Sequence, residues 1–167
     1  MFVNTLDVLP DSDEFKHPDD LRRWLVDHHL LDKSAKVTER DLRRALDVRE
    51  ALRELLAANN RMEAKAGTLD TLNAAAARAQ LVVRFDRTGR AELAPDAKDV
   101  DAAIGRILSA AYSGMVDGSW ERLKACGDDR CLWVFYDQSK NRSSKWCSMA
   151  VCGNRAKARK HRQRARV

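Results

Sequence analysis

Four cysteines, Cys126, Cys131, Cys147 and Cys152, fall in one short segment, and the residues before Cys126 contain none. Their spacing is Cys-x4-Cys-x15-Cys-x4-Cys, two pairs of thiols divided by a hairpin-sized stretch. Each pair can supply two ligands from one tight turn, which suits a tetrahedral zinc ion. Two disulfides are the covalent alternative, and a reducing compartment disfavours them. A catalytic redox pair has Cys-x-x-Cys spacing, which neither pair shows. Four thiolates fill the coordination sphere, and the four histidines show no HExxH-like spacing, so one structural zinc is predicted rather than an open catalytic site. Metal-binding free energy then becomes folding free energy for a piece too small to hold itself together.

Between the pairs, LWVFY (132–136) is strand-like, QSKNRSS (138–144) is turn-like, and Lys145-Trp146 returns to the third cysteine. Cys147 and Cys152 should open a helix, NRAKARKHRQR. Two knuckles, an intervening hairpin and a helix leaving the last ligand predict a treble-clef-like zinc finger. A helix N-terminus under Cys152 would favour its thiolate.

Charge sets this end of the chain apart. The last acid is Asp137, and ten cations follow it, leaving 21 cations against 25 acids before that point, a net −4. An acidic body with an unopposed basic end suggests a polyanion partner for that end alone. Along the expected helix, Arg155, Arg159, Arg162 and Arg166 form one stripe, and Lys157, Lys160 and Arg164 form a second line beside it. Asn141, Arg142 and Lys145 on the hairpin can join Arg155 against one nucleic-acid backbone. Arg155 has a structural alternative, pairing with Asp137 or standing over Trp146. Six phosphate contacts would give a log–log salt slope of about −5.

The body reads as helices with one β-hairpin. The opening FVNTL is compatible with a strand or a short helix. Pro18, Asp19 and Asp20 suit a helix's first turn, and Leu21, Trp24, Leu25 and His28 share a face of a helix that ends near Leu31. Thr38 and Asp41 predict a capping box, with a helical period through Leu42, Ala45, Leu46, Arg49, Leu52, Leu55 and Leu56 to about Lys65. Gly67 stops that helix and Thr68 caps a shorter one through Leu72 and the alanine run. LVVRF (81–85) followed by DRTGRAEL predicts a hairpin turning at Asp86–Arg90. A last amphipathic helix carries Val100, Ala103, Ile104, Ile107, Leu108 and Ala111, and Gly114 and Gly118 mark its end and a domain boundary. The expected fold is therefore α+β and mainly helical: a helical domain with a β-hairpin over 1–118, then the zinc finger over 119–167. No export signal or membrane-spanning segment is predicted, and the chain is read as cytoplasmic.

The stretch RLKACGDDRCLWVFYDQSKNRSSKWCSMAVCGNRAKARKHRQR resembles the CGNR zinc finger, named for the tetrapeptide that here is Cys152-Gly153-Asn154-Arg155. Asp137, Ser139, Asn141, Arg142, Ser143, Trp146, Cys147 and Ser148 fall where that motif places them, while Lys140 and Ser144 stand where arginines are common. FVNTL (2–6), LRRWLVDHHLL (21–31), RRALDVREALRELL (43–56) and TLNAAAA (71–77) are similar to the ABATE domain that usually accompanies it. The resemblance implies a bacterial, stress-induced transcription regulator whose finger binds DNA and whose N-terminal domain acts as a sensor.

Three function classes follow. The leading one is a sequence-specific DNA-binding regulator, with a homodimer expected because one small finger covers little DNA. The second is a sequence-independent nucleic-acid binder, of RNA or the ribosome, although few aromatics sit on the basic face. The third is an enzyme built on His28, His29, Asp19, Asp20 and Asp27, which we read instead as packing and solvated helix face. Asn4 and Thr5, polar within an apolar start, are candidates to line a pocket for a small-molecule effector. Capping of the first turn is their structural alternative.

Overall fold

The computed structural model describes residues 1–9, 11–63 and 65–164. A 3-10 turn (Phe2–Thr5) leads into short strands β1 (Leu6–Asp7) and β2 (Ser12–Asp13) and then into helices α1 (Pro18–Asp27), α2 (Glu39–Ala58) and α3 (Thr68–Ala79). Strands β3 (Leu81–Phe85) and β4 (Ala91–Pro95), helix α4 (Asp99–Val116), strands β5 (Leu123–Ala125) and β6 (Val134–Tyr136) and helix α5 (Asn154–Arg164) complete the order. The fold is α+β and mainly helical, its strands making three separate antiparallel pairs. No helix among the described residues is long and apolar enough to cross a membrane.

Helix α2 is the axis of the molecule. Its start is the expected capping box: Asp41 N–H donates to Thr38 Oγ1 (3.3 Å) while Thr38 N–H donates to the Asp41 carboxylate (2.8 Å). Its end differs from expectation, stopping at Ala58 rather than near Lys65. The reason lies in Asn59 and Asn60. Asn59 Nδ2 donates to the carbonyls of Trp120 (2.8 Å) and Leu123 (2.9 Å), and Asn60 Nδ2 to those of Ala125 (2.9 Å) and Lys145 (2.8 Å). Those bonds tie the helix end to the C-terminal segment, and Arg61 turns the chain away at φ 64°. Helix α1 likewise ends early, at Asp27, because His29 adopts φ 57°.

Helices α3 and α4 pack beside α2, with Ala75, Ala79, Val100, Ala103 and Ile104 buried. Thr68 is the first residue of α3 rather than its cap, and its hydroxyl is spent on Glu54 and the Lys65 carbonyl. The β3–β4 hairpin forms as expected, pairing Leu81 with Pro95 and Phe85 with Ala91. Gly105 lets α4 approach both neighbours: a Cβ there would lie 2.8 Å from the Cβ atoms of Ala79 and Pro95. Neither atom can move without its backbone. Gly105→Ala should therefore cost about 2 kcal/mol and lower the melting temperature by roughly 4–8 °C, read by calorimetry.

The N-terminal turn closes the core from below. Phe2, Phe15 and Trp24 pack with ring centroids 5.6–6.0 Å apart. Two arginines of α2 face inward with them. Arg49 makes a bidentate pair with Asp13 (2.7 Å to each oxygen) and donates to Thr5 Oγ1 (3.3 Å). Arg53 donates to the carbonyls of Val3 (2.5 Å), Leu6 (3.3 Å) and Leu132 (3.1 Å) and to Glu50 (3.0 Å). Both are buried.

Ala125 and Val134, from β5 and β6, belong to this same core. The cysteines form a second, smaller cluster with Trp146.

Candidate metal centre and nucleic-acid interface

The first cysteine pair sits at the tip of the β5–β6 hairpin. Leu123 pairs with Tyr136 and Ala125 with Val134, and Cys126 N–H then donates to the Trp133 carbonyl (2.9 Å). This corrects the sequence expectation of a hairpin lying between the knuckles. The strand-like residues after Cys131 pair backward, onto RLKA before Cys126, and only Val134–Tyr136 of LWVFY is strand. Within the turn, the Asp128 carbonyl accepts the N–H groups of Cys131 (2.8 Å) and Leu132 (3.1 Å), with Leu132 at φ 50°. Of the second pair, Cys147 precedes one π turn, Met149–Gly153, and Cys152 lies within it; Ser148 Oγ accepts Val151 N–H (3.3 Å) and the Ser148 carbonyl accepts Cys152 N–H (2.9 Å). Helix α5 begins after Cys152, at Asn154, so the ligand lies in the turn that feeds the helix.

These turns bring all four sulfurs within 4.8 Å of one another, with Cys131–Cys147 and Cys147–Cys152 both at 3.7 Å. Zinc–sulfur bonds of about 2.3 Å arranged tetrahedrally require sulfurs about 3.8 Å apart, whereas a disulfide needs about 2.05 Å. The donor set therefore fits one structural zinc held by Cys126, Cys131, Cys147 and Cys152. Burial and the neighbouring thiols push Cys147 far up and Cys152 to about 11. A divalent ion at the centre opposes that shift by stabilising the thiolates, whose protons pass to solvent on binding.

Polar contacts outside the sulfurs hold the cluster's shape. Asp128, fully buried in the first knuckle, accepts both arms of Arg159 from α5 (3.1 and 3.3 Å), so the helix is clipped to the knuckle by a contact additional to the sulfurs. Burial pushes the Asp128 carboxyl up, but the Arg159 hydrogen bonds outweigh it and the net shift is downward. The loop after β6 is built on Asp137. Its carboxylate accepts Lys124 Nζ (2.7 Å), Ser139 N–H (2.9 Å) and Ser144 N–H (3.0 Å), and Lys124 also donates to the Arg142 carbonyl (2.5 Å). Burial again pushes Asp137 up. Lys124 and the two serines overcome that and hold it well below the usual carboxylate range.

A depressed carboxyl contributes stability that is complete above its unfolded value and lost as pH falls through the folded one. Asp137→Asn should thus cost about 3 kcal/mol at pH 7, because Lys124 is left buried and unpaired. The gap to the parent should narrow below about pH 4, where the unfolded carboxyl gains its proton. Paired denaturant titrations at pH 7 and below pH 4 check this.

The cations predicted to meet nucleic acid separate into those that are free and those that are used. Asn141, Arg142 and Lys145 lie on the exposed loop, with Arg142 paired to Glu121. Asn154 is exposed and returns its amide to the Ala150 carbonyl (3.0 Å). Arg155 is half-buried beside Cys131, Cys147, Cys152 and Trp133, while Asp137 belongs to Lys124 instead. Arg159, at the middle of the expected stripe, is spent on Asp128, so that face of α5 looks inward as far as Arg159, while Arg162 further along it is exposed. Lys157, Lys160, Arg162 and Arg164 are exposed and have no carboxylate partner among the described residues. The line Lys157, Lys160 and Arg164 is the outward one. Arg166 lies outside the described residues.

Asn4 and Thr5 serve a different purpose from lining a pocket. Asn4 Nδ2 donates to the Val134 carbonyl (2.9 Å), and Val134 N–H donates to Asn4 Oδ1 (2.8 Å). Thr5 Oγ1 donates to Phe2 O (2.8 Å) and accepts from Arg49. The apolar cavity nearby is lined by Phe2 and Val3, not by these polar neighbours. His28 stacks on Trp24 with centroids 3.8 Å apart.

Sequence reasoning missed Lys124, Asp128, Arg53, Asn59 and Asn60. The paired asparagines at the end of a helical period were the one usable signal, since such residues favour bonds to backbone over helix continuation.

Comparison with known families agrees with this geometry. Residues 1–117 match the ABATE family, described as "Putative stress-induced transcription regulator", and residues 122–165 match the CGNR zinc finger. Both are regulatory or zinc-finger families rather than enzyme families. None of the curated proteins compared with the chain matches it. With most of its length matched by the first model and its four-sulfur cluster inside the second, the chain belongs to the ABATE family and ends in a CGNR zinc finger.

Proposed function

We propose that the protein is a cytoplasmic DNA-binding transcription regulator, in which residues 119–167 read DNA and residues 1–118 act as the sensing unit. The observation that carries this is the outward line of α5. Lys157, Lys160 and Arg164 stand exposed and without carboxylate partners among the described residues, while Arg159 locks the inner face to Asp128. A helix held at its base by metal and at its middle by an ion pair presents its outer cations in a fixed direction. Fixed cations meet phosphates with less loss of side-chain and backbone freedom than a frayed tail does. Exposed Asn141 and Lys145 on the adjoining loop extend the surface. Two copies would double the half-sites and supply the specificity that one finger lacks.

The test is retention of sheared genomic DNA by the zinc-loaded protein, followed by sequencing and a salt titration. A sharp motif is expected. Replacing Lys157, Lys160 and Arg164 together with Ala should weaken binding and reduce the salt slope by about 3. Arg159→Ala should instead lower stability of the finger. Uniform recovery of all sequences, or tighter retention of RNA, overturns the reading as a specific regulator.

A further inference from the structure

A cavity of about 430 Å³ opens among the N-terminal turn, α1, α2 and α4. This lies in the size range of small-molecule sites. Its walls are mostly apolar, with Phe2, Leu52, Leu56 and Ile107 among them, and no acidic residue lines it. Its polar lining comes from Ser119 and from His28 and Arg106, the last two exposed. Arg106 donates Nη1 to the Leu30 carbonyl (2.7 Å) and has no carboxylate partner among the described residues. His28 Nδ1 lies 2.8 Å from the Trp24 carbonyl. A carbonyl only accepts, so Nδ1 carries the proton and Nε2 is left for another group.

We propose that this cavity binds an apolar monocarboxylate, its tail between Phe2 and Ile107 and its carboxylate on Arg106. This rests on reading residues 1–118 as a sensing unit. The apolar walls select a hydrocarbon or aromatic body. A guanidinium with donors to spare, in a cavity without acids, selects an anionic head, and its planar fork matches a carboxylate. An amine with the same tail would meet the Arg106 guanidinium and no acid. The opposite wall gives the site its consequence. Trp120 and Leu123 line it, both their carbonyls are held by Asn59, and Leu123 pairs with Tyr136 in the hairpin that carries Cys126 and Cys131. A ligand that packs on Trp120 and Leu123 therefore bears on the strand that positions the first two sulfurs. Such a ligand shifts the finger's populations by its differential affinity for them.

Decanoate is the probe, titrated below its micelle concentration into the zinc-loaded full-length chain. Binding is followed by calorimetry and by the fluorescence of Trp24 and Trp120. Saturable one-to-one binding is expected, with decanol and decylamine weaker by about ten-fold or more. Arg106→Gln should weaken decanoate by about ten-fold at an unchanged melting temperature, since the residue is exposed. Ala111→Phe, which fills the cavity, should abolish binding. Equal binding of decanol, or no effect of Arg106→Gln, overturns the carboxylate assignment. Absence of saturable binding to the folded protein overturns the site. DNA retention is measured in parallel with and without decanoate. Decanoate bound with DNA affinity unchanged leaves the site standing and removes the sensing role. Loss of DNA binding under every condition bears only on the regulator reading.

Discussion

Chelating the metal should melt the C-terminal segment while leaving helices α1 to α4 folded. Among the described residues, the buried cluster around the sulfurs consists of Cys126, Cys131 and Cys152, with Trp146 and Cys147 packed against it. That is too little surface to fold on hydrophobic burial, and a structural zinc supplies on the order of 10 kcal/mol to such modules at neutral pH. Without it, residues from Asp137 onward lose the two turns that orient them. The β5–β6 hairpin should respond differently, because Ala125 and Val134 lie in the main core and Asn4 holds Val134 by both backbone groups. Hydrogen exchange on the chelated protein should thus show three zones. Protection is lost over 137–164, reduced over 123–136 and retained in α2 and α4. Cys126→Ser should reproduce the pattern without chelator. Uniform loss of protection would mean that the metal supports the whole molecule.

Arg53→Met should be the most destabilising single substitution away from the cysteines, by about 4 kcal/mol. Replacing a buried ion pair with apolar residues is often harmless, because both charges can be removed together. Arg53 differs in its partners. Three of them are the carbonyls of Val3, Leu6 and Leu132, which no side-chain change can delete. Each carbonyl left without a donor costs about 1–3 kcal/mol. The fall in melting temperature should be roughly 8–16 °C. Leu132 follows Cys131 directly, so the variant should also surrender zinc to a chelator more readily than the parent. A variant that melts like the parent would show that water replaces the guanidinium.

The parts of this structure that follow local rules were legible. The cysteine spacing named the metal centre, because ligand pairs on turns have few spacings. Thr38 and Asp41 fixed the start of α2 through side chains three residues apart. The β3–β4 hairpin announced itself by β-branched residues before a turn. What was not legible depends on partners far along the chain. Helical periodicity places Arg53 on the buried side of α2, but nothing local says that backbone from both ends of the protein meets it there. LWVFY looks equally able to pair forward or backward, and the partners that favour the latter, α2 against β5 and Asn4 on Val134, lie far along the chain. On α5 the two cationic lines are alike in sequence. Asp128, in a turn 31 residues earlier, decides which one turns inward.

The mutual hydrogen bonds of Asn4 and Val134 join positions 130 apart in the chain. During synthesis at about 5–20 residues per second, that separation corresponds to roughly 7–26 s between the appearance of the two partners. From the completion of α2 at Ala58 until Val134 is made, the surface reserved for Ala125 and Val134 is bare, Arg53 lacks the Leu132 carbonyl, and Asn59 lacks the carbonyls of Trp120 and Leu123. The body of the protein is therefore unfinished until Val134 is made, and a nascent chain halted before it leaves that part of the core uncovered.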